Sequence, residues 1–205
     1  MLDATIEVRG TPGLNRKLAA LGTVKRDMLL LAGQAMKSET ARGIQQGVDI
    51  NSRPFAPISP LTQAVRPGGS GKPLQDRGLL LQSILAPEPR VVGDRVTIGT
   101  NREGADMVNY GGTQRPKNTK VLAIPMNRRA KLAGSPRQFK DGFWRRTARG
   151  SLIFFVPDGR GGVTPMFLGK DRVEIPKRQF LGWGERIRKP VMASVQASLR
   201  RVLVS

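Results

Sequence analysis

A chain with no His and no Cys lacks the two side chains that most often do chemistry near neutral pH. The imidazole that serves as general base and metal ligand is absent, and so are thiol nucleophiles, thiolate metal sites and disulfides. Carboxylate, Lys, Ser and Tyr chemistry remains. The acids of residues 111–205 are Asp141, Asp158, Asp171, Glu174 and Glu185. They supply no Asp-x-Asp or Glu-x-x-Glu pair to hold a cation. Asp158, in Pro157-Asp158-Gly159, reads as a turn residue, and Asp171 with Glu174 as the solvated side of a strand. No catalytic residue, metal or cofactor is expected, and the chain is read as a non-enzyme.

Two Gly-rich stretches, Gly159-Arg160-Gly161-Gly162 and Gly68-Gly69-Ser70-Gly71-Lys72, have the composition of phosphate loops. Neither has the P-loop spacing or lies between a strand and a helix, so both read as flexible loops. The stronger signal is charge. Lys and Arg number 35 against 15 Asp and Glu, a net of +20. Residues 111–205 hold 21 basic and 5 acidic side chains, residues 1–110 only 14 and 10. A field of that sign selects acidic or polyanionic partners. It peaks at 127–149, where Arg128, Arg129, Lys131, Arg137, Lys140, Arg145, Arg146 and Arg149 meet one acid, Asp141, with Phe139, Phe143 and Trp144 interleaved. Such a segment suits a phosphate backbone, though no helix-turn-helix, zinc-finger or single-strand-binding signature accompanies it.

The elements that must carry these residues follow from periodicity. Residues 4–9 alternate like a strand. Leu14, Leu18 and Leu21 fall at helical spacing. Val24 to about Gln46 predicts an amphipathic helix with Met28, Leu31, Ala32, Ala35 and Met36 inward and Gly47 as its stop. Ser59-Pro60 predicts the start of a short helix over 61–65, and Asp76 the cap of another, with Leu79, Leu80 and Ile84 buried. Pro67 to Pro73 reads as a flexible linker or mobile loop. Gly93-Asp94 predicts a hairpin turn, 101–109 a short helix closed by Gly111-Gly112, and 121–126 a strand with Pro125 marking its end or an edge. Residues 152–156 and 163–168 read as a second hairpin, 174–180 as extended, and 185–202 as an apolar-striped helix whose Arg186, Arg188, Lys189, Arg200 and Arg201 lie on or beside its outer face. The expected architecture is α+β, with N-terminal helices, an antiparallel sheet with hairpins and a C-terminal helix packed on the sheet. It is one domain over 1–205, with a basic insertion at about 127–166 and a flexible loop at 67–73. The opening MLDATIEVRG lacks the basic and apolar regions of a signal peptide, and no apolar run reaches the ~18 residues of a membrane span, so no membrane partner is expected.

Six segments in order resemble the Mu-like phage virion-morphogenesis, or tail-completion, family of tailed bacteriophages. They are Pro54 to Thr62, Lys72 to Ile84, Val96 to Asn101, Val108 to Gly112, Leu122 to Pro125 and Ile175 to Gly182. The family often has a His-Gln pair before its double Gly, where this chain has Asn109-Tyr110. The resemblance implies a structural virion protein, a tail-completion or tail-terminator protein. It would assemble in the bacterial host cytoplasm as a ring, often a hexamer, that caps the tail tube and joins it to the neck. Its partners would be copies of itself, the tail tube protein, neck or connector proteins and, non-specifically, genomic DNA in the lumen. It also implies that Gly111 and Gly112 make a tight turn, and that Arg178, Phe180 and Leu181 form the extended approach to the last helix. On that reading the basic residues of 127–149 meet DNA or an acidic neighbouring ring, and Phe143, Trp144, Phe154, Phe155, Arg178 and Phe180 are candidate inter-subunit contacts. The alternative is a basic protein that binds DNA without sequence preference.

Overall fold

The computed structural model describes residues 2–7, 22–66 and 71–204; the helical spacing of Leu14, Leu18 and Leu21 and most of the loop at 67–73 lie outside the described residues. The chain divides into two compact units. The first is Met1–Ala56, Pro73–Tyr110 and Lys177–Ser205; the second is Pro57–Lys72 and Gly111–Pro176. The second unit is thus wider than the insertion expected at about 127–166.

In the first unit, β1 (Leu2–Glu7) and β2 (Arg90–Val92) flank β3 (Arg95–Thr100) in an antiparallel sheet, with Glu7 and Val92 both opposite Arg95. Gly93-Asp94 forms the expected two-residue turn, with Gly93 at φ 56°. The long helix α1 (Gly22–Gln46) ends at Gly47, which supplies the left-handed φ of 78° that stops it. Met28, Ala32 and Met36 are buried as read, with Ile44 beyond them, but Leu31 is 45% exposed and Leu29 is buried instead. The single-stripe reading fails because α1 is covered on two sides. One side meets the hairpin at Gly33, where a Cβ would lie 2.6 Å from Pro89 Cβ.

The other side of α1 meets the closing helix α6 (Glu185–Val204), which buries Ile187, Val191 and Val195 in the core that also holds Val96 and Ile98 of the sheet. The first N–H groups of α6 are satisfied locally: Glu185 donates to Asn51 Oδ1 at 3.3 Å and Arg186 to the Ile50 carbonyl at 3.1 Å. Pro190 lies inside this helix without ending it. Phe55, Ile84, Phe180 and Leu181 complete the core. The fold is α+β.

Two short helices stand in this unit. The first, α3 (Leu79–Leu85), starts after Gly78 at φ 72° with no side-chain cap bond, so Asp76 is not its cap; the left-handed glycine turns the chain into the helix. It buries Ile84, while Leu79 stays 40% exposed. The second, α4 (Ala105–Tyr110), matches the helix expected before Gly111.

In the second unit, the helix α2 (Pro60–Ala64) is capped by Ser59, whose Oγ accepts from the Thr62 N–H at 3.2 Å. The strands β4 (Gly112–Gln114) and β9 (Val173–Ile175) pair with each other. The strands β5 (Leu122–Pro125), β6 (Phe143–Arg146), β7 (Leu152–Pro157) and β8 (Val163–Lys170) form an antiparallel sheet in the order β5-β8-β7-β6. Pro125 accordingly sits on an edge strand. The loop from β7 to β8 is closed by Asp158, whose Oδ1 accepts from the N–H groups of Arg160 and Gly162 at 2.9 Å each. That carboxylate takes the amides a phosphate loop would offer, and Asp158 is the turn residue expected.

The stretch 127–142 is not an irregular loop. Asn127 caps the helix α5 (Arg128–Ala133), accepting from the Ala130 N–H at 2.8 Å, and its amide donates to the Pro165 carbonyl at 2.8 Å. Gly134 at φ 73° ends α5, and a 3-10 turn follows over Pro136–Gln138. Ala130, Phe154, Val156, Met166 and Phe167 form the core, with Phe139 against it. Phe154 contacts Phe139, Phe167 and Trp144 with ring centroids 6.4, 6.1 and 5.3 Å apart. Gly142 makes room for that cluster, since a Cβ there would collide with Cζ of Phe154. Gly142→Ala is therefore expected to displace the Phe154 ring and destabilise this unit by ~1–3 kcal/mol, seen in urea unfolding followed by Trp144 fluorescence in a Trp183→Phe background. An unchanged midpoint would mean that the ring has room to spare.

Candidate polyanion interface

The second unit carries 16 basic and 4 acidic side chains, a net of +12, more than half the charge of the chain. Four of its cations converge on one half-open cleft of about 540 Å³: Arg115, Arg146, Lys170 and Arg172. Pairing sets their places. Arg146 ends β6 opposite Leu152, and Leu152 lies opposite Gly169, so the three form a row across the sheet. Lys170 ends β8, and Arg172 precedes β9, whose pairing of Val173 with Gln114 brings Arg115 to the same end.

Gly169 lines the cleft, and its missing side chain leaves room for Leu152 and Trp144 to pack beside it. A Cβ there would lie 3.0 Å from both Leu152 Cδ2 and Trp144 Cζ3. The β6–β7 turn is fixed by bonds from Gly150 N–H to Thr147 O at 2.8 Å and from Thr147 N–H to Ser151 O at 2.9 Å, with Gly150 at φ 78°. Arg146 Nη1 donates to the Gly150 carbonyl at 3.2 Å, which steadies the guanidinium at the cleft wall. Asp171 is the carboxylate that lines the cleft. Among the described residues none of the four cations makes an ion pair within 4.0 Å.

Of the eight basic residues singled out in 127–149, Arg146 lines this cleft. Arg128, Arg129 and Lys131 lie on α5, and Arg129 stands over the Phe139 ring with its guanidinium carbon 5.4 Å from the centroid. Arg137 lies on the 3-10 turn, while Lys140 and Arg149 lie in turns. Arg145 alternates with Arg146 on β6 and so faces the other side of the sheet. Sequence reasoning misses Arg115, Lys170 and Arg172 because they lie outside that run. The β4–β9 pairing that unites them leaves no mark in local composition.

Three of the six candidate contact residues are corrected by their burial. Phe154 is 4% exposed within the second unit's core and Phe180 is 0% exposed within the first unit's core. Arg178 is also buried, its Nε donating to the Ala56 carbonyl at 2.7 Å and its N–H to Val108 O at 2.9 Å. These three hold their own unit together and offer no surface. Phe143 and Trp144 are exposed, and Phe155 is half-buried.

The first unit hides a further cation. Arg186 is not on the outer face of its helix but turned against α1. Its Nε donates to Asp49 O at 3.0 Å and its Nη1 to Glu39, through the backbone carbonyl and Oε2. Burial pulls its guanidinium below the ordinary arginine value, against the raising pull of the Glu39 and Asp49 charges. Gly43 on α1 leaves the space, since a Cβ there would collide with Nη2 of Arg186.

Nearby, Asn109 is fully buried. Its Oδ1 accepts from the Leu181 N–H at 2.9 Å and its Nδ2 donates to the Leu181 carbonyl at 3.1 Å. Among the described residues no helix is long and apolar enough to cross a membrane. No family model, no curated protein and no solved structure matches the chain.

Proposed function

We propose that the chain is a structural protein of a tailed-bacteriophage head–tail junction, a tail-completion or tail-terminator protein that works as a ring around the DNA path. The observation that carries this reading is the fate of the segments on which the resemblance rests. Phe55, Ile84, Val96, Ile98, Phe180 and Leu181 come from four of those segments and meet in one core. Asn109, from a fifth, clamps the backbone of Leu181. Segments that are scattered in sequence thus build one frame, as they must if they define a common fold. A second compact unit with a net of +12 supplies a surface for DNA or for an acidic neighbouring ring. Ring closure needs heterologous contacts, for which the exposed Phe143 and Trp144 on the edge strand β6 are suited.

The expected result is that phage particles deprived of this protein accumulate as separate heads and tails in a complementation assay, and that the wild-type chain restores joining. Normal joining in its absence would overturn the reading. The alternative, a DNA-binding protein with no place in the particle, draws on the same charge and predicts that purified virions lack the chain.

A further inference from the structure

We infer that the cleft of Arg115, Arg146, Lys170 and Arg172 is a binding site for the sugar–phosphate backbone of duplex DNA. Three guanidiniums and one ammonium converge on it from three separate stretches of the second unit. An arginine fork matches phosphate geometry better than an ammonium does, and here arginine dominates. The cations are available to a ligand, because among the described residues none is in an ion pair.

The cleft is half open, which suits a chain that passes through rather than a small molecule that is enclosed. Its lining holds four cations and no aromatic residue, with Trp144 standing beside Gly169, so the contact is carried by charge and reads no sequence. Lys117, Lys120 and Arg149 lie in the loops that lead into it and continue the positive field, which favours an extended polyanion. Asp171 on its wall opposes any anion and gives the assignment a second sign to test. The assignment rests on the head–tail reading only for the source of the DNA.

The test uses the full chain and a fluorescently labelled duplex of random sequence, with anisotropy read from 50 to 300 mM salt. Arg115→Ala/Arg172→Ala removes two exposed side chains, and its urea unfolding is measured beside wild type to establish that it folds. It is expected to bind about sixtyfold more weakly at 0.1 M salt, with a plot of log Kobs against log[salt] shallower by about 1.8, the share of two phosphates. Asp171→Asn is expected to bind ~threefold more tightly. Arg188→Ala/Lys189→Ala takes the same charge from the first unit and is expected to change affinity less than twofold.

Equal losses in the two double variants would overturn the assignment in favour of a diffuse field. Displacement of the duplex by polyglutamate more readily than by unlabelled DNA would overturn it in favour of an acidic protein. Neither result touches the head–tail reading, which is scored by the joining of heads to tails.

Discussion

Glu39→Ala is expected to destabilise the first unit by about 3–5 kcal/mol, a loss of the size that truncating a fully buried aromatic would bring. Glu39 and Arg186 have side chains only 9% and 10% exposed, so neither charge is well solvated. The pair is worth little against an apolar replacement, but removing one partner strands the other. Without the Glu39 carboxylate, the Arg186 guanidinium keeps only carbonyl acceptors, from Asp49 and from residue 39 itself. Arg42, which also pairs with Glu39, has a side chain 60% exposed and can turn to water.

Glu39→Ala combined with Arg186→Met should therefore recover most of the loss, because no buried charge remains. Urea unfolding in a Trp144→Phe background reads the first unit alone, since Trp183 is then the remaining tryptophan. A loss below 1 kcal/mol for Glu39→Ala would mean that water reaches Arg186 and that its charge is not stranded.

Asn109→Ala is expected to cost about 3 kcal/mol, because it leaves the buried N–H and C=O of Leu181 without partners. Leu181 is 1% exposed, so water does not replace the amide. The effect has a local signature. Hydrogen exchange at the Leu181 amide should quicken more than at the α1 amides, as the extended 178–182 segment opens ahead of the helices. Uniform acceleration across the unit, with Leu181 unremarkable, would show that the clamp adds nothing of its own.

These two residues also mark how far the sequence could be read. Elements with local signals were legible: Gly47 as a helix stop, Ser59-Pro60 as a helix start, Gly93-Asp94 as a turn, and Pro125 as a strand end or an edge. Each is decided by backbone preferences within a few positions. The role of Arg186 was not legible, because a helical Arg between polar neighbours has the pattern of a solvated face. The signal lay on the other helix, where Glu39 stands one turn before Gly43 and leaves a charged, side-chain-free notch.

Phe154, Phe180 and Arg178 mislead for a similar reason. Aromatic and basic residues in a charged region have the composition of an interface, and only tertiary packing turns them inward. In the cleft, Arg146 was legible by its place in a basic run. Arg115, Lys170 and Arg172 needed the pairing of β4 with β9, strands of three residues each and far apart in the chain.

That same short ladder bears on the order in which the molecule folds. The bonds between Asn109 and Leu181 join residues 72 positions apart. Made directly, they must close the whole intervening loop. Once Gly112 and Ile175 are paired, the ends of that loop are already side by side, and the loop left to close is about ten residues. Because closure entropy grows as (3/2)RT ln n, the shortcut is worth about 2 kcal/mol. The barrier to assembling the first unit therefore falls when β4 and β9 form early. Refolding of the Trp183 environment should slow when that ladder is broken, even though every residue of the ladder belongs to the other unit.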